Sequence, residues 1–589
     1  MWIQRNRLAT YIMVRHLFSL MICFLPTITF ASAEDHKTAA APGKIVITDE
    51  DIKKMKVHSV VELLNRIPGV SATESSVNFR GASTTEILVL LDGRRINDLT
   101  SSWRAVNWSA ISLDAVERIE ICKGTGSVLY GDNSSGGVIS ITTRKIAKGS
   151  RGSAELSCGR FNYQEYDLNY QQETRNLGLG LSAGWKKTDG FRVNSDKDLK
   201  RLSTKLSCRL DDKKNAVFSF DYSQLEKGIP GKTYFPTPRA TGDEENWGAT
   251  FFCPLGRLNT GTHYSNFEKE YKNPDTGFLN IMESWAVDEK VSSTISAGRL
   301  GEFDIGTEVE VSHVKGNKIT SRQEEKYAFF ATKDIRFEGI PLTLDLGIRA
   351  NIYSDFPNLL NPQIQLNYSH FKTGIQLSIN QSNNIPTFYQ RYYETTTLKS
   401  NPDLGMEKAI NCSLSFSSQF RERLDGDISF FLSRISDRIC FVLEGDIGRY
   451  RNIGSVTRKG IDTSIKWRPN DLWQIKSSYT YLVAKDDDTG RYVTYSPEHR
   501  FDLDIQYKPT KNLYLGLYTK YVSKKFLDID NTKTLRGCYL RSDLRGDYSL
   551  TERLRFFFKI TNLFDRDYDV TDGYPCIPRA WMMGMGCNF

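Results

Sequence analysis

The sequence predicts an all-β transmembrane barrel of about 22 antiparallel strands, with an N-terminal α+β plug domain inside its lumen. Apolar and polar residues alternate through most of the chain after residue 148, which is the period of a strand with two different faces. No run of about 20 apolar residues follows the first thirty positions, so a helical membrane span is not expected. The mean hydropathy is −0.43, yet 12% of the residues are aromatic, as in barrels with polar lumens and aromatic girdles.

Residues 1–33 have the organisation of a secretory signal peptide. Arginines without any acidic residue precede the apolar stretch LFSLMICFLPTITF, and small residues at Ala31 and Ala33 provide a cleavage site. The apolar stretch is too short for an anchor, and Pro26 interrupts it. Cleavage after residue 33 would remove Arg5, Arg7 and Arg15 and lower the formal net charge from +8 to +5. A net charge of that size is too small to indicate a nucleic-acid partner. We expect export, with residues 34–43 forming a periplasmic N-terminal segment.

Residues 44–148 have a mixed pattern that predicts one small α+β domain. Thr48 and Asp51 can form a capping box, and Ser59-x-x-Glu62 is a second one at the start of a short helix that Pro68-Gly69 ends. The apolar run ILVLL indicates a strand covered on both faces, and the Asp92-Gly93 pair after it indicates a tight turn. The strands RIEI and GVISI follow.

Residues 149–589 are predicted to form the barrel. Segments such as LGLGLSAGW, FDLDIQYK and LYLGLYTKYV alternate in polarity, and turns such as DDKKN separate them. At roughly 20 residues per strand with its connection, this length allows about 22 strands. A soluble sandwich of this length would be exceptional, and a propeller repeat of roughly 40–50 residues does not appear. A lumen of that width needs an obstruction, which the N-terminal domain supplies.

Segments in both halves resemble the TonB-dependent outer-membrane receptors, nearest in size and plug pattern to cobalamin and siderophore receptors. The resemblance covers nearly the whole mature chain and rests on segments in the family's order. In the plug these are VNFRG, ILVLLDGRRIN and VERIEICKG…SVLYGDNSSGGVISITT. In the barrel they are IPTFYQRYYE…NPDLGMEKA, YRNIGSVTRKGIDTSIKW and the C-terminal segment that ends in Phe589.

The resemblance implies a receptor and transporter of the Gram-negative outer membrane, not an enzyme. It implies import of a scarce, large metal chelate, a ferric siderophore or cobalamin, which binds at the extracellular face before TonB drives a plug rearrangement. The partners it implies are TonB with its inner-membrane energising complex, outer-membrane lipid and the barrel-assembly machinery, and we expect a monomer. The motifs of common hydrolases and nucleotide-binding enzymes are not found in the sequence.

The plug apices and the outer loops are the expected ligand contacts. The apices are 73–77 and 97–108, and the loops include 224–247 and 381–404. Trp103 and Trp108 offer broad apolar faces with an N–H donor, although both could instead pack the plug against the barrel wall, and for any single loop tyrosine a girdle role is an equal alternative. The candidate contacts are Thr73, Ser75, Asn97, Ser101, Trp103, Asn107, Trp108, Tyr234, Trp247, Tyr389, Tyr392 and Tyr393.

Charges that flank the plug strands are expected to meet barrel charges across a hydrated interface. The candidates are Arg80, Arg94, Arg118 and Glu120, and the alternative for each is a solvated surface position. Glycines are expected where the plug chain turns sharply or packs closely, at Gly81, Gly93, Gly131, Gly136 and Gly137.

Energy coupling has a second interpretation. The family carries an exposed TonB box before the plug, but EDHKTAAAPG at 34–43 lacks such a pentapeptide, and KIVIT corresponds to the first plug strand. TonB pairs with the box by strand addition, and a strand used inside the plug is a poor donor. The alternative function is therefore a plugged barrel that serves as a ligand-binding or sensing surface without TonB-coupled transport.

No metal site or cofactor is expected from the spacing of the ten cysteines, which lack a CxxC pair. The acidic triplets Asp243-Glu244-Glu245 and Asp486-Asp487-Asp488 could hold Ca²⁺ through oxygen ligands. Solvated turns are the simpler explanation for both triplets.

Overall fold

The computed structural model describes residues 43–211, 214–535 and 538–589. The predicted signal peptide and, except for Gly43, the predicted periplasmic segment lie outside the described residues. Within these ranges, no helix is both long and apolar enough to cross a bilayer.

The N-terminal part of the described chain forms a small domain of helices and strands. Its elements are β1 (Lys44–Thr48), α1 (Asp49–Met55), α2 (Val60–Leu64), β2 (Val70–Ala72), β3 (Val77–Phe79), β4 (Ile87–Leu91), β5 (Arg94–Arg95), β6 (Val116–Lys123), α3 (Ser127–Tyr130) and β7 (Gly137–Thr143). Five of the strands form a sheet with the order β1-β6-β7-β4-β5, in which β4 and β7 pair in parallel and the other neighbours pair antiparallel. We call this unit the plug.

The turn and the helix caps of the plug form as the sequence predicts, except for the capping box at Ser59 and Glu62. β4 is buried on both faces, and Asp92 and Gly93 take positive φ angles of 47° and 88° in the turn to β5. The complete capping box forms at Thr48 and Asp51, whereas Ser59 caps α2 alone. Glu62 does not return to its N-cap because its carboxylate binds the backbone N–H of His58 and two cationic side chains.

The glycines of the plug meet two different demands. Gly81, Gly93, Gly131 and Gly137 have positive φ angles. At Gly136 the demand is close approach, because an added Cβ would lie 2.5 Å from the Cβ of Ala82. Both demands exclude a larger side chain without movement of the neighbouring chain.

Twenty-two strands close into an antiparallel barrel around the plug, which confirms the predicted fold class. The last strand pairs with the first, and Phe589 exchanges backbone hydrogen bonds of 2.7 and 2.9 Å with Gly152. The barrel strands are β8 (Gly149–Gly159), β9 (Tyr163–Thr174), β10 (Leu177–Thr188), β11 (Lys197–Arg209), β12 (Asn215–Gly228), β15 (Thr241–Leu255), β16 (Leu258–Asn273), β17 (Phe278–Ser296), β18 (Glu302–Gly316), β19 (Arg322–Arg336), β20 (Leu342–Tyr353), β21 (Leu359–His370), β22 (Thr373–Asn384), β24 (Glu407–Arg421), β25 (Leu424–Ser436), β28 (Ser455–Trp467), β29 (Trp473–Asp486), β30 (His499–Tyr507), β31 (Leu513–Val522), β32 (Tyr539–Ser549), β33 (Leu554–Thr561) and β36 (Ala580–Asn588).

Smaller elements lie in the connections. They are the strands β13 (Gly231–Lys232), β14 (Phe235–Pro236), β23 (Leu398–Lys399), β26 (Ile439–Glu444), β27 (Ile447–Asn452), β34 (Asp569–Thr571) and β35 (Tyr574–Pro575), and the helix α4 (Phe388–Tyr392). All of them lie at one end of the barrel, which we call the long-loop end. The opposite short-turn end has connections as brief as 256–257 and carries the start of β8 and the end of β36. In barrels of this kind the longer loops face the cell exterior.

Apolar side chains cover the outside of the barrel at alternate strand positions. Trp581, Met583 and Met585 on β36 are 45%, 50% and 43% exposed, while the residues between them turn inward. This alternation is typical of a wall with lipid on one side and a polar lumen on the other.

Candidate functional site

The plug presents two loops at the long-loop end, and the connection between β22 and β24 lies across them. Gln390 in α4 donates a hydrogen bond of 3.1 Å to the carbonyl of Ser102, and Arg104 donates one of 3.2 Å to the carbonyl of Ile385. These contacts fix the mouth, which we define as the plug loops 73–77 and 97–108 with the barrel connection 385–406.

Four side chains of the predicted plug apices differ sharply in exposure. Thr73 and Ser75 are exposed, and Trp103 is 53% exposed. Trp108 is only 1% exposed and belongs to the apolar core of the plug. Of the two tryptophans, Trp103 is therefore the one that a ligand at the mouth can reach.

The polar apex residues hold the loop itself. The Asn97 side chain accepts from the N–H of Val89 at 2.8 Å and donates to the carbonyl of Ile87 at 3.1 Å. The hydroxyl of Ser101 accepts from the N–H of Trp103 at 3.3 Å. Asn107 is half-buried. The Asn97 contacts hold the loop 97–108 to β4, and the Ser101 contact fixes the backbone at Trp103.

The aromatic candidates of the connection 385–406 form a stacked cover. The rings of Tyr389 and Tyr393 stack with centroids 4.1 Å apart, and Tyr393 is buried in a cluster that also contacts Leu99 of the plug. Tyr392 is half-buried, and the guanidinium of Arg322 lies 5.1 Å from the centre of its ring. The aromatic faces of the mouth therefore lie beside a cation at the start of β19.

Two other loop candidates lie away from the mouth. The connection expected over 224–247 spans only 229–240, so Trp247 lies in β15. Its ring centroid is 4.6 Å from that of Tyr264, and it shares the strand face of the exposed Phe251, as a girdle residue would. Tyr234 is 59% exposed and donates a hydrogen bond to the carboxylate of Asp572 in the connection that contains β34 and β35.

Buried ion pairs join the plug to the barrel wall. Arg80 donates to Asp462 at 2.7 Å, and Lys123 reaches the same carboxylate at 3.2 Å. Arg94 donates to Asp221 at 2.6 Å.

The structure places Arg118 and Glu120 differently from Arg80 and Arg94. They form an ion pair of 3.4 Å with each other on one strand of the plug, and Lys44 pairs with Glu120 at 3.1 Å. These contacts lie within the plug sheet.

Further plug–barrel pairs involve residues that sequence analysis did not select. Glu86 accepts hydrogen bonds of 2.5 and 2.8 Å from Arg458, and Arg66 reaches Asp504 at 3.5 Å. Arg95 contacts Glu308 at 3.1 Å and Glu310 at 3.4 Å. Glu308 and Glu310 are two positions apart on one strand, so they share the lumenal face. That spacing is the signal that could have identified them.

Carboxylates that could in principle hold a cation are engaged with basic side chains. Asp288, Glu308 and Glu310 offer oxygens within 4.8 Å of one another. Lys326 lies 2.6 Å from Glu310, and Arg349 lies 2.9 Å from Glu308. This cluster is therefore part of the ion-pair network that holds the plug.

The acidic triplets make turn and ion-pair contacts. Glu244 pairs with Lys227 at 2.6 Å. Asp486 accepts from the N–H of Thr489 at 2.8 Å, and Asp487 accepts from the hydroxyl of Ser455 at 2.8 Å. Asp486-Asp487-Asp488 thus lies at the turn after β29, as expected, whereas the turn prediction is wrong for Asp243-Glu244-Glu245, which lies within β15.

We expect Glu62→Gln to weaken the plug at neutral pH and to have little effect in acid. Burial alone raises the pKa of Glu62, but Lys559 at 2.8 Å and Arg66 outweigh it and hold the pKa well below 4.5. A lowered carboxyl pKa contributes stability above about pH 4.5 that is lost as the pH falls. Glu62→Gln should therefore lower the free energy of unfolding of the plug by about 2 kcal/mol at pH 7.

Amide hydrogen exchange of α2, measured at pH 7 and in acid, tests this expectation for Glu62. Glu50→Gln is the matched control, because Glu50 pairs with Lys54 at 3.5 Å on the exposed face of α1. The expectation would be contradicted if both variants lost the same protection from exchange, or if the loss of protection in Glu62→Gln persisted in acid.

Two family models match the chain. The model described as TonB dependent receptor-like, beta-barrel matches residues 150–563, and the model described as TonB-dependent Receptor Plug Domain matches residues 37–138. Together they cover both structural units of the described chain.

Solved structures with the same architecture include three receptors of Gram-negative bacteria. The siderophore receptor PirA from Acinetobacter baumannii has a TM-score of 0.80 at 15% identity, covering 93% of this chain and 98% of its own. The ferric enterobactin receptor PfeA from Pseudomonas aeruginosa has a TM-score of 0.78 at 17% identity, covering 94% and 100%. The ferric-catecholate import receptor Fiu from E. coli K12 has a TM-score of 0.76 at 17% identity, covering 93% and 97%. Identities this low show a shared fold.

Proposed function

Because the chain belongs to the TonB-dependent receptor family, we propose that it imports a ferric siderophore across the outer membrane. The family and the fold are those of receptors and transporters rather than enzymes, and as a family these proteins bind a siderophore and interact with TonB. The proposal assigns ligand binding to the mouth and passage of the cargo to a TonB-driven movement of the plug.

The exposure of Trp103 beneath the connection 385–406 is the observation that carries this proposal. A plug loop that offers a bare indole at the exterior end of a filled lumen is placed to contact a bulky chelate before any passage opens. The similar structures include receptors for ferric enterobactin and for ferric catecholates, ligands that are aromatic and anionic. Arg322 over the ring of Tyr392 suits that chemistry, because a guanidinium attracts an anion and the aromatic rings stack. Cobalamin remains the second cargo class to be tested.

The second candidate is a ligand-binding surface without coupled transport. All five residues of β1 pair with β6, from Lys44 with Cys122 to Thr48 with Arg118. A strand that is already paired in the plug sheet cannot add to TonB unless it first detaches. This pairing is the observation that favours the alternative.

Uptake of radioactive iron as ferric enterobactin tests the proposal in cells that express the chain, with and without TonB. We expect TonB-dependent uptake of the iron chelate and weaker uptake of labelled cyanocobalamin. Binding of the chelate without uptake in either strain would instead support the second candidate. Uptake that is equal with and without TonB would overturn the coupling.

A further inference from the structure

Arg104 differs from the other arginines of the plug. The plug contains seven arginines, and six of them form ion pairs: Arg66, Arg80, Arg94, Arg95, Arg118 and Arg144. Among the described residues, Arg104 has a single hydrogen-bond partner, the carbonyl of Ile385, which accepts from Nη2 at 3.2 Å. Its Nε is buried without a partner, and its Nη1 donates to none of the described residues. In the described part of the chain, the positive charge of Arg104 is therefore left without a paired carboxylate.

Carboxylates farther away do not neutralise this charge either. Burial lowers the pKa of Arg104, and the attraction of these carboxylates does not offset that effect. They already have cationic partners: Asp132 and Glu310 share Lys326 at 3.0 and 2.6 Å, and Glu324 pairs with an arginine of α4. A guanidinium keeps its proton at any physiological pH, so the lowered pKa reflects desolvation rather than loss of charge. An anion that reached Arg104 would supply the missing counter-ion.

Arg104 lies where a ligand in the mouth can approach it. It directly follows Trp103, which is 53% exposed, and it is itself only partly buried. Its backbone has a φ angle of 53°, in the left-handed region that is unfavourable for residues other than glycine. Such conformations persist where surrounding contacts hold them, and they cluster at ligand-binding sites. The plug loop 97–108 therefore holds a charged side chain at the exterior end in a conformation that a relaxed loop would avoid.

The carbonyl of Ile385 joins two separate segments of the plug to the barrel. It accepts the hydrogen bond from Arg104 and a second one of 3.1 Å from the side chain of Asn133. Asn133 lies in the segment between α3 and β7, and its N–H donates to the carbonyl of Asn383 at 2.9 Å. The same segment ends at Gly136, whose N–H donates at 2.7 Å to the carbonyl of the residue before β4. A change at Arg104 can therefore reach β4 and β7 through a short series of hydrogen bonds.

The hydrogen bond between Arg104 and Ile385 is one that an anion can break. A charged donor forms a stronger hydrogen bond with an anionic acceptor than with a neutral carbonyl. A ligand shifts an equilibrium only by binding one arrangement better than the other. A chelate with negatively charged oxygens meets that condition, because it binds Arg104 better once the guanidinium has left Ile385. An uncharged chelate offers no stronger acceptor than the carbonyl does.

We propose that Arg104 selects the cargo by its charge: an anionic chelate draws the guanidinium away from Ile385, and an uncharged chelate does not. Release of Arg104 leaves Asn133 as the remaining donor to that carbonyl and loosens the plug segment between α3 and β7. The inference rests on the proposed import function and narrows its cargo to anionic chelates. Arg104 is thus a specificity-determining residue of the mouth.

Titration of the purified mature protein with two iron chelates tests the proposal, with amide hydrogen exchange of residues 131–136 as the second readout. Ferric enterobactin is the anionic probe, and ferrichrome is the uncharged one. We expect ferric enterobactin to bind more tightly than ferrichrome and to speed exchange of residues 131–136 about tenfold, the effect of losing one charge-assisted hydrogen bond. Saturating ferrichrome should leave that exchange unchanged.

Two substitutions separate the charge of Arg104 from its other properties. Arg104→Gln keeps a side-chain N–H donor but lacks the charge, so the affinity for ferric enterobactin should fall about tenfold and the exchange response should disappear. Arg104→Lys keeps the charge and should keep the response. Arg322→Gln is the matched control, because the Arg322 guanidinium lies over the ring of Tyr392 and not on a plug segment. It should weaken binding, but saturating ferric enterobactin should still speed the exchange.

The proposal is overturned if ferric enterobactin binds the native protein without changing the exchange of residues 131–136, or if ferrichrome changes it equally. It is also overturned if Arg104→Gln responds like the native chain, or if Arg322→Gln abolishes the response as well. In each of these cases chelate binding is intact, so the proposed import function stands. If neither chelate binds the native protein, the inference and the siderophore import on which it rests are both wrong.

Discussion

Asp462→Asn is expected to destabilise the seated plug by about 3–5 kcal/mol. The carboxylate of Asp462 receives Arg80 at 2.7 Å, Lys123 at 3.2 Å and the hydroxyl of Thr480 at 2.8 Å, all with little exposure. Asparagine keeps the volume but removes the charge, so two buried cations lose their common partner. Removing one side of a buried ion pair costs more than the pair contributes, because the remaining charge stays desolvated.

Lys123 shows how strongly this site depends on Asp462. Burial lowers the pKa of Lys123 from 10.5 to about 8 even though Asp462 pulls it upward. Without that carboxylate the pKa should fall further, and the side chain should lose its proton near neutral pH. Loss of the charge would release Lys123 from the barrel wall and free the end of β6.

Amide hydrogen exchange of β6 and protease cleavage of the plug measure this effect in detergent. Asp425→Asn is the matched control, because Asp425 pairs with Arg468 at 2.7 Å where both side chains are about a third exposed. We expect Asp425→Asn to lower the free energy of unfolding by less than about 1 kcal/mol, because water already screens that ion pair. Equal losses in the two variants would show that Asp462 does not hold the plug.

Trp108→Ala is expected to cost about 3–5 kcal/mol of plug stability. The indole is 1% exposed and packs in the plug core with side chains such as Leu63 and Val106. Truncation leaves a cavity lined by these residues, and the plug loses both burial and dispersion contacts. The nearby Trp103→Ala should change stability by less than about 0.5 kcal/mol, because its ring already faces solvent.

The same two variants should have the opposite order in ligand binding. Titration of purified protein with ferric enterobactin should show at least a tenfold loss of affinity for Trp103→Ala, as expected for a contact worth about 1.4 kcal/mol. Thermal unfolding followed by circular dichroism gives the stability side of the comparison. If Trp103→Ala binds as tightly as the native chain, the mouth at 97–108 is not the contact surface.

Elements that depend on neighbours in the chain were predicted well. Alternating polarity gave the barrel and its 22 strands, because the two faces of each strand meet lipid and a polar lumen. The turn at Asp92-Gly93 and the buried strand β4 also follow from local chemistry. The capping box at Ser59 and Glu62 is the exception. Ser59 caps the helix, but the Glu62 carboxylate pairs with Lys559, which is 497 positions away.

Contacts between distant strands could not be predicted in this way. Arg80, Arg94 and Arg118 look alike beside their strands, yet only the first two reach barrel carboxylates, and Arg95 was not selected at all. Trp103 and Trp108 are five positions apart in one segment, and one is half exposed while the other is buried. A polarity pattern shows which residues of a strand share a face. It does not show which residue of a distant element lies opposite them across the lumen.

The sequence by itself determined a membrane barrel, a plug and the family resemblance, and it predicts a signal peptide. Each of these depends on composition or on patterns a few residues long. Only the tertiary structure decided which charges seat the plug and which tryptophan faces the exterior. These features depend on how strands hundreds of positions apart are brought together. That arrangement follows from closure of the barrel around the plug, and no local segment encodes it alone.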